Sequence, residues 1–394
     1  MPGLILEQDG AAHSGAARTL RRRAAIAWTL LQAPWYACKL TPISKHVRAP
    51  MERAKRVYHR VLMLPGFASS FRYVQRHCAT VLMLHRFQDV ESGVAGLDPK
   101  QLRKGLEYLR RNKYEIVPLA ELFERLAGRG RKLRGAVAFT VDDGYLDQAE
   151  IGAPIFSAFD CPVTTFVATG FLDGDLWLWA DKIEYIFSNT ARQSISVRMG
   201  RAAVQYRLSS VSGPSAMSAD FAERCKVLDD DEKHQAIARL AREAEVELPD
   251  RAPLGHAPMT WEQVRSCERR GMTFGPHTVS HPILSRARPE QAVWEITESW
   301  RRLRAEAQHP VPIFCFPNGR YVDFGDREIA TVRAMGFVGG LSTEIGFADP
   351  ASFRRGTDGP FKTKRLPFPE ELSVLAQYVS GVERLKRIAR GSET

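Results

Sequence analysis

The stretch Phe139-Thr140-Val141-Asp142-Asp143-Gly144-Tyr145 puts two adjacent carboxylates where a hydrophobic strand, Ala136 to Val141, runs out into a glycine turn. Neighbouring side chains on a strand face opposite sides. The two acids therefore serve one site only if the turn at Gly144 re-aims one of them, and they then hold different positions and roles. Alone, an Asp-Asp-Gly is as well explained by a solvated turn. A second cluster, Gly275-Pro276-His277-Thr278-Val279-Ser280-His281-Pro282, also follows a strand and precedes a helix. Pro282 disfavours helix at His281, so the two histidines belong to a loop that bends back rather than to one helix face. Paired imidazoles plus one carboxylate make a three-ligand site for zinc or a similar divalent ion, with a position left open for water or substrate. A third strand end, Phe314-Cys315-Phe316-Pro317-Asn318-Gly319, reads as a tight turn, and also as a place where a backbone N–H faces a developing oxyanion.

Working outward, apolar runs alternate with helical periodicity. Val81 to Leu84 ends in His85, and Asp98-Pro99 opens a helix carrying Leu102, Leu106 and Leu109. A short run at Ile116-Val117 leads into a Leu119–Leu126 helix, and Val163 to Ala168 is a further strand. Thr260 and Gln263 form a capping box for a helix that stops at Gly271, before a Met272–Gly275 strand. Val293, Ile296, Trp300 and Leu303 mark a long amphipathic helix. Strands follow at Ile313–Phe316 and Phe337–Leu341, separated by a helix from Asp326 to Met335. This alternation implies a parallel sheet, open or closed as a barrel, with all three clusters at the C-terminal strand ends where such folds carry their sites. One stretch, about 188–256, breaks the rhythm with a hairpin around Gly200 and a charged helix, Asp231–Glu247, with Ile237 and Leu240 inward. It is an α+β insertion.

The chain has 394 residues, 44% hydrophobic and 26% charged, which excludes collagen, disulfide scaffolds and wholesale disorder. The net charge is +11, yet residues 1–60 hold 11 Lys or Arg against 3 Asp or Glu. The body is thus nearly neutral, and a nucleic-acid partner is excluded. Six scattered cysteines without a Cys-x-x-Cys pair fit free thiols in a reducing compartment. Arg21-Arg22-Arg23 ahead of Ala24–Leu31 is a poor match to a cleaved signal and too short to span a bilayer. Residues 1–76 are accordingly expected to be a basic leader, with peripheral membrane contact through residues 1–60, and the protein to be cytoplasmic, at the inner face of the membrane.

From His77 to the C-terminus the residues resemble the NodB-type polysaccharide deacetylases, carbohydrate esterase family four. Thr140-Val141-Asp142-Asp143-Gly144 looks like that family's first motif, and His277-Thr278-Val279-Ser280-His281-Pro282 like its second. The run from Phe171 through Trp177, Trp179 and Asp181 is similar to a segment of members that act on cell-envelope glycans. The resemblance implies a deformed (β/α) barrel over 77–394. It also implies a divalent metal ion, zinc by its ligands, on Asp143, His277 and His281, with Asp142 as general base deprotonating the attacking water and the backbone at Asn318 completing the oxyanion site. The substrate it implies is an acetylated glycan: an N-acetylated sugar in an exopolysaccharide, an oligosaccharide or a lipid-linked precursor. Two departures stand out. The family's third motif commonly has Arg where this chain has Cys315, with Arg365 as a substitute, and no histidine follows His309 to act as the family's usual acid near Arg365-Leu366-Pro367. His85 is then either the proton donor or an ordinary strand-end histidine, and O-deacetylation and a non-catalytic glycan binder are the alternatives. Trp177 and Trp179 either stack on sugar rings or, the favoured reading, pack in a core.

Overall fold

The structure, a computed structural model, describes residues 57–58, 60–64, 66, 73–200, 202–208 and 213–391. The leader and its membrane contact therefore lie almost wholly outside the described residues. Among those described, no helix is long and apolar enough to cross a membrane.

Seven short apolar segments form one sheet: β1 (Thr80–Leu84), β2 (Val137–Asp143), β3 (Val163–Val167), β6 (Thr273–Pro276), β7 (Ile313–Cys315), β8 (Gly339–Ile345) and β9 (Thr363–Pro367). They are parallel throughout, in the order β6-β3-β2-β1-β9-β8-β7. Parallel strands are covered on both faces and so read as continuous apolar runs; β2 and β3 are buried at every position. The sheet's two edges nearly meet. Val311 N–H donates to Phe274 O at 2.7 Å, and Phe274 bridges Pro310 in parallel, so the sheet is a nearly closed barrel. Alternate strand residues pack to different sides. Val81, Ala138, Phe166, Ile313, Cys315 and Leu341 fall in one cluster, and Leu82, Phe139, Val141 and Val167 in another.

Among the described residues the α-helices longer than four residues are α1 (Pro99–Arg111), α2 (Leu119–Leu126), α3 (Ala153–Ala158), α4 (Trp179–Asn189), α5 (Gly213–Cys225), α6 (Asp230–Glu243), α7 (Trp261–Glu268), α8 (Pro289–Glu306), α9 (Asp326–Ala334), α10 (Leu372–Ser380) and α11 (Val382–Ala389). Local signals fix several of them. The Asp98 carboxylate accepts from Lys100 N–H at 2.8 Å ahead of α1, whose Leu102, Leu106 and Leu109 are buried. Thr260 and Gln263 make the reciprocal capping box of α7.

The Ile116-Val117 run leads into α2 as expected, and a single bridge from Ile116 to Val137 and the Val117 N–H to Val137 O bond tie that entrance to β2. One expectation changes. On α8 the buried stripe is Ala292, Glu295, Ile296, Ser299, Trp300 and Leu303, with Val293 turned outward. Between α4 and α7 the chain forms the antiparallel hairpin β4 (Ser194–Met199) and β5 (Ala202–Arg207) around Gly200. With α4, α5 and α6 the hairpin encloses a separate core of Trp179, Ile183, Ile195, Phe221, Ile237 and Leu240.

Candidate active site

Three neighbouring strands bring the two motifs together. Asp143 on β2 is level with Val167 on β3, and Val167 with Pro276 on β6. The ladder continues past the strand ends, with Ala168 N–H donating to Asp143 O at 3.1 Å and His277 N–H to Val167 O at 2.9 Å. The re-aiming of the second acid begins at Asp143 itself, whose φ is 88°, and continues at Gly144, with φ 97°. A Cβ at Gly144 would lie 2.6 Å from Leu172 Cδ1, so both the turn and the space require glycine there. Asp142 keeps the strand's inward direction while Asp143 turns toward the histidine loop.

Asp143 Oδ1 lies 3.4 Å from His281 Nε2 and 3.6 Å from His277 Nε2. The His277 Nδ1 is 2.7 Å from Cys315 O; as donor to that carbonyl it leaves Nε2 with a free lone pair. Burial lowers His277 to a pKa of about 4 and pushes His281 well below the imidazole range, with His277 adding to the effect. Both rings are therefore neutral, the form that ligates metals. Burial, together with the charges of Asp142 and Asp181, pushes Asp143 well above the ordinary carboxylate range, which marks a place short of positive charge.

Asp142 is in the opposite situation. Burial would raise its pKa, but the Arg365 guanidinium overrides this and holds the carboxyl well below its usual range. Arg365 is fully buried on β9 and grips both carboxylate oxygens, Nη1 to Oδ1 at 2.9 Å and Nη2 to Oδ2 at 2.7 Å. The guanidinium spans the barrel: Nε donates to Ser342 O at 2.9 Å, Nη1 to Thr140 Oγ1 at 3.1 Å and Nη2 to Cys315 Sγ at 3.3 Å. The cation that the resemblance places at position 315 thus reaches the same carboxylate from another strand. His85, at the end of β1, has Nε2 3.9 Å from Asp142 Oδ2, and 45% of its side-chain surface is exposed. Asn318 sits past the end of β7 with φ 57°, its side-chain Nδ2 buried without a protein partner.

Residues 226–338 match the family model described as polysaccharide deacetylase. This segment, less than a third of the chain, is what the chain shares with the polysaccharide deacetylases. The matched span holds the histidine loop and the Pro317-Asn318-Gly319 turn. Among solved structures, the chain is similar to the Streptococcus pyogenes deacetylase PplD in complex with acetate, at 18% identity, covering 77% of this chain and 98% of that one with a TM-score of 0.50. It is also similar to IcaB from Ammonifex degensii, at 16% identity, 77% and 97% coverage and a TM-score of 0.47. At such identities the likeness concerns the fold. No curated protein matches the chain in sequence.

Several supports of the site come from elements outside the two motifs. Gln148 Nε2 donates to His85 O and Asp142 O, tying the ends of β1 and β2 together. Tyr145 OH donates to Asp181, 2.9 Å from Oδ2, and His256 Nδ1 is 3.5 Å from Asp181 Oδ1. Glu295 accepts from the amides of Val279 and Ser280. A glutamate on the apolar stripe of α8 was the one available sign of that last contact. Trp177 and Trp179 are both buried, in the cores rather than on an open face.

Proposed function

We propose that this protein is a deacetylase that hydrolyses the N-acetyl group of a sugar in a polysaccharide, oligosaccharide or lipid-linked glycan, using a divalent ion, by donor chemistry zinc, on Asp143, His277 and His281. The donor triangle carries this reading. Its separations of 3.4 and 3.6 Å are close to the distance of about 3.3 Å between two ligands of a tetrahedral zinc. Its donor set, two neutral imidazoles and one carboxylate that lacks a countercharge, suits a dication. When bound, such an ion supplies Lewis acidity toward the acyl carbonyl and a low-pKa water.

This chain's own residues do the rest. Asp142, kept ionised by Arg365, accepts the proton of the attacking water; its neighbour Asp143 is turned to another task by the left-handed turn. The Asn318 main chain is the donor toward the oxygen that gains charge as the carbonyl becomes tetrahedral. An amine does not leave as an anion, so its nitrogen must be protonated. His85 stands beside Asp142 at the open face of the barrel and delivers that proton. The cytoplasmic placement and the contact of residues 1–60 with an anionic membrane belong to the same proposal, supported by the charge concentrated there.

Acetate release from N-acetylated chitooligosaccharides, with the metal removed by chelation and then restored as zinc, tests the reading. Turnover is expected to need zinc. Asp142→Asn is expected to lose turnover by roughly 100-fold or more while retaining bound zinc. No acetate from any N-acetylated glycan in the presence of zinc would sink the proposal, and loss of both turnover and zinc in Asp142→Asn would mean that the two aspartates exchange roles.

A further inference from the structure

The histidine loop adopts a backbone that its own residues disfavour. Thr278 has φ 68° and His281 φ 58°, in the left-handed region where non-glycine residues are uncommon and a β-branched one is an outlier. His281 also precedes Pro282, which favours extended geometry for it. Such conformations persist only where the surroundings over-determine them.

Two clamps do so. Behind the loop, the Glu295 carboxylate on α8 accepts from Val279 N–H at 2.7 Å, from Ser280 N–H at 2.9 Å and from the Ser280 hydroxyl. On the other side, the Trp179 indole N–H donates to the His281 carbonyl at 3.1 Å. Trp179 opens α4, and its ring belongs to the separate core built with the β4–β5 hairpin, α5 and α6. Lys233 of α6 stands over that ring, its Nζ 5.0 Å from the centroid. The clamps are joined, because Asp230, the partner of Lys233, accepts from Gln291 Nε2 at 2.9 Å, and Gln291 lies one turn of α8 before Glu295.

We infer that the α+β unit built from α4, the β4–β5 hairpin, α5 and α6 positions the histidine loop, and that Trp179 is its point of contact: a positioning residue that fixes His281 through the main-chain carbonyl. The inference rests on the metal reading above. Without the indole N–H, His281 relaxes from its left-handed conformation and its imidazole loses its aim toward Asp143. Partners behind a metal ligand typically contribute about 10- to 100-fold in affinity.

Zinc affinity of the full chain, measured by chelator competition, is compared with thermal denaturation of the metal-free protein. Trp179→Phe keeps an aromatic ring and loses the donor, so zinc binding should weaken about tenfold or more. Trp177→Phe is the control: this buried ring packs edge-on to Tyr185 at 5.5 Å, and its loss should lower thermal stability comparably while leaving zinc affinity within about twofold. Should Trp179→Phe fail to fold, benzothienylalanine at 179, with sulfur in place of the N–H, preserves the shape and should show the same loss. Unchanged zinc affinity with the donor removed, or an equal loss in Trp177→Phe, overturns the inference. A wild-type protein that binds no zinc overturns the metal reading instead.

Discussion

A carboxylate buried at the mouth of a barrel stays ionised only if something replaces the water it has lost, and at Asp142 that is the two-pronged grip of Arg365. Asp142 can accept a proton across the working pH range, so the pH dependence in that range falls to the donor. Crowding by the surrounding protein lowers the pKa of His85 below the ordinary 6.5, with Asp142 pulling it back and Arg365 adding to the fall. Its donating form, the imidazolium, is lost as pH rises through that lowered value. The alkaline limb of kcat/KM should therefore lie below pH 6.5, and His85→Gln should abolish the limb while lowering kcat by roughly 100-fold or more. An unchanged limb in His85→Gln would remove His85 from the reaction. At this scale the sequence was legible where a motif is contiguous. Asp142, Asp143, His277 and His281 stand in two short runs, and the structure brings them to one place. Arg365 was visible only as a cation in a suspicious position, because what joins it to Asp142 is the pairing of β1 with both β2 and β9.

At the scale of elements, the site depends on β6, the four-residue strand that carries the histidine loop and forms one side of the barrel's seam. Gly275 within it has no room for a side chain: a Cβ there would lie 2.5 Å from Phe166 Cε1 and 3.0 Å from Ile313 O. Gly275→Ala should therefore destabilise the fold by about 1–3 kcal/mol through overpacking, as read by denaturant unfolding. A change under about 0.5 kcal/mol would mean that the seam yields freely and the strand is not locked by this contact. Most elements were readable because apolar runs and caps are local signals; Thr260-Gln263 and Asp98 are examples. Ile116-Val117 shows the lower limit of such a signal: two β-branched residues make a run, and only one bridge forms. The contacts of Glu295 and Trp179 with the histidine loop went unrecognised. Each residue occupies a helix position that reads as a phase error or a core ring, and its partner is a backbone group of a distant loop.

At the scale of the whole molecule, the barrel gathers three strand ends from separate parts of the chain, and a second small core braces one of them. Alternating strands and helices revealed the parallel α/β plan. Closure of the sheet rests on the Phe274–Val311 bond and the Phe274–Pro310 bridge, for which no sequence pattern exists. The central claim is that one dication binds at the triangle and leaves Asp142 free. Crystals grown with zinc, with anomalous diffraction recorded at the zinc edge, test it most directly. The account predicts one peak within about 2.0–2.2 Å of His277 Nε2, His281 Nε2 and an Asp143 oxygen, with Asp142 still paired to Arg365. A peak coordinated by Asp142, or no peak at saturating zinc, would contradict it.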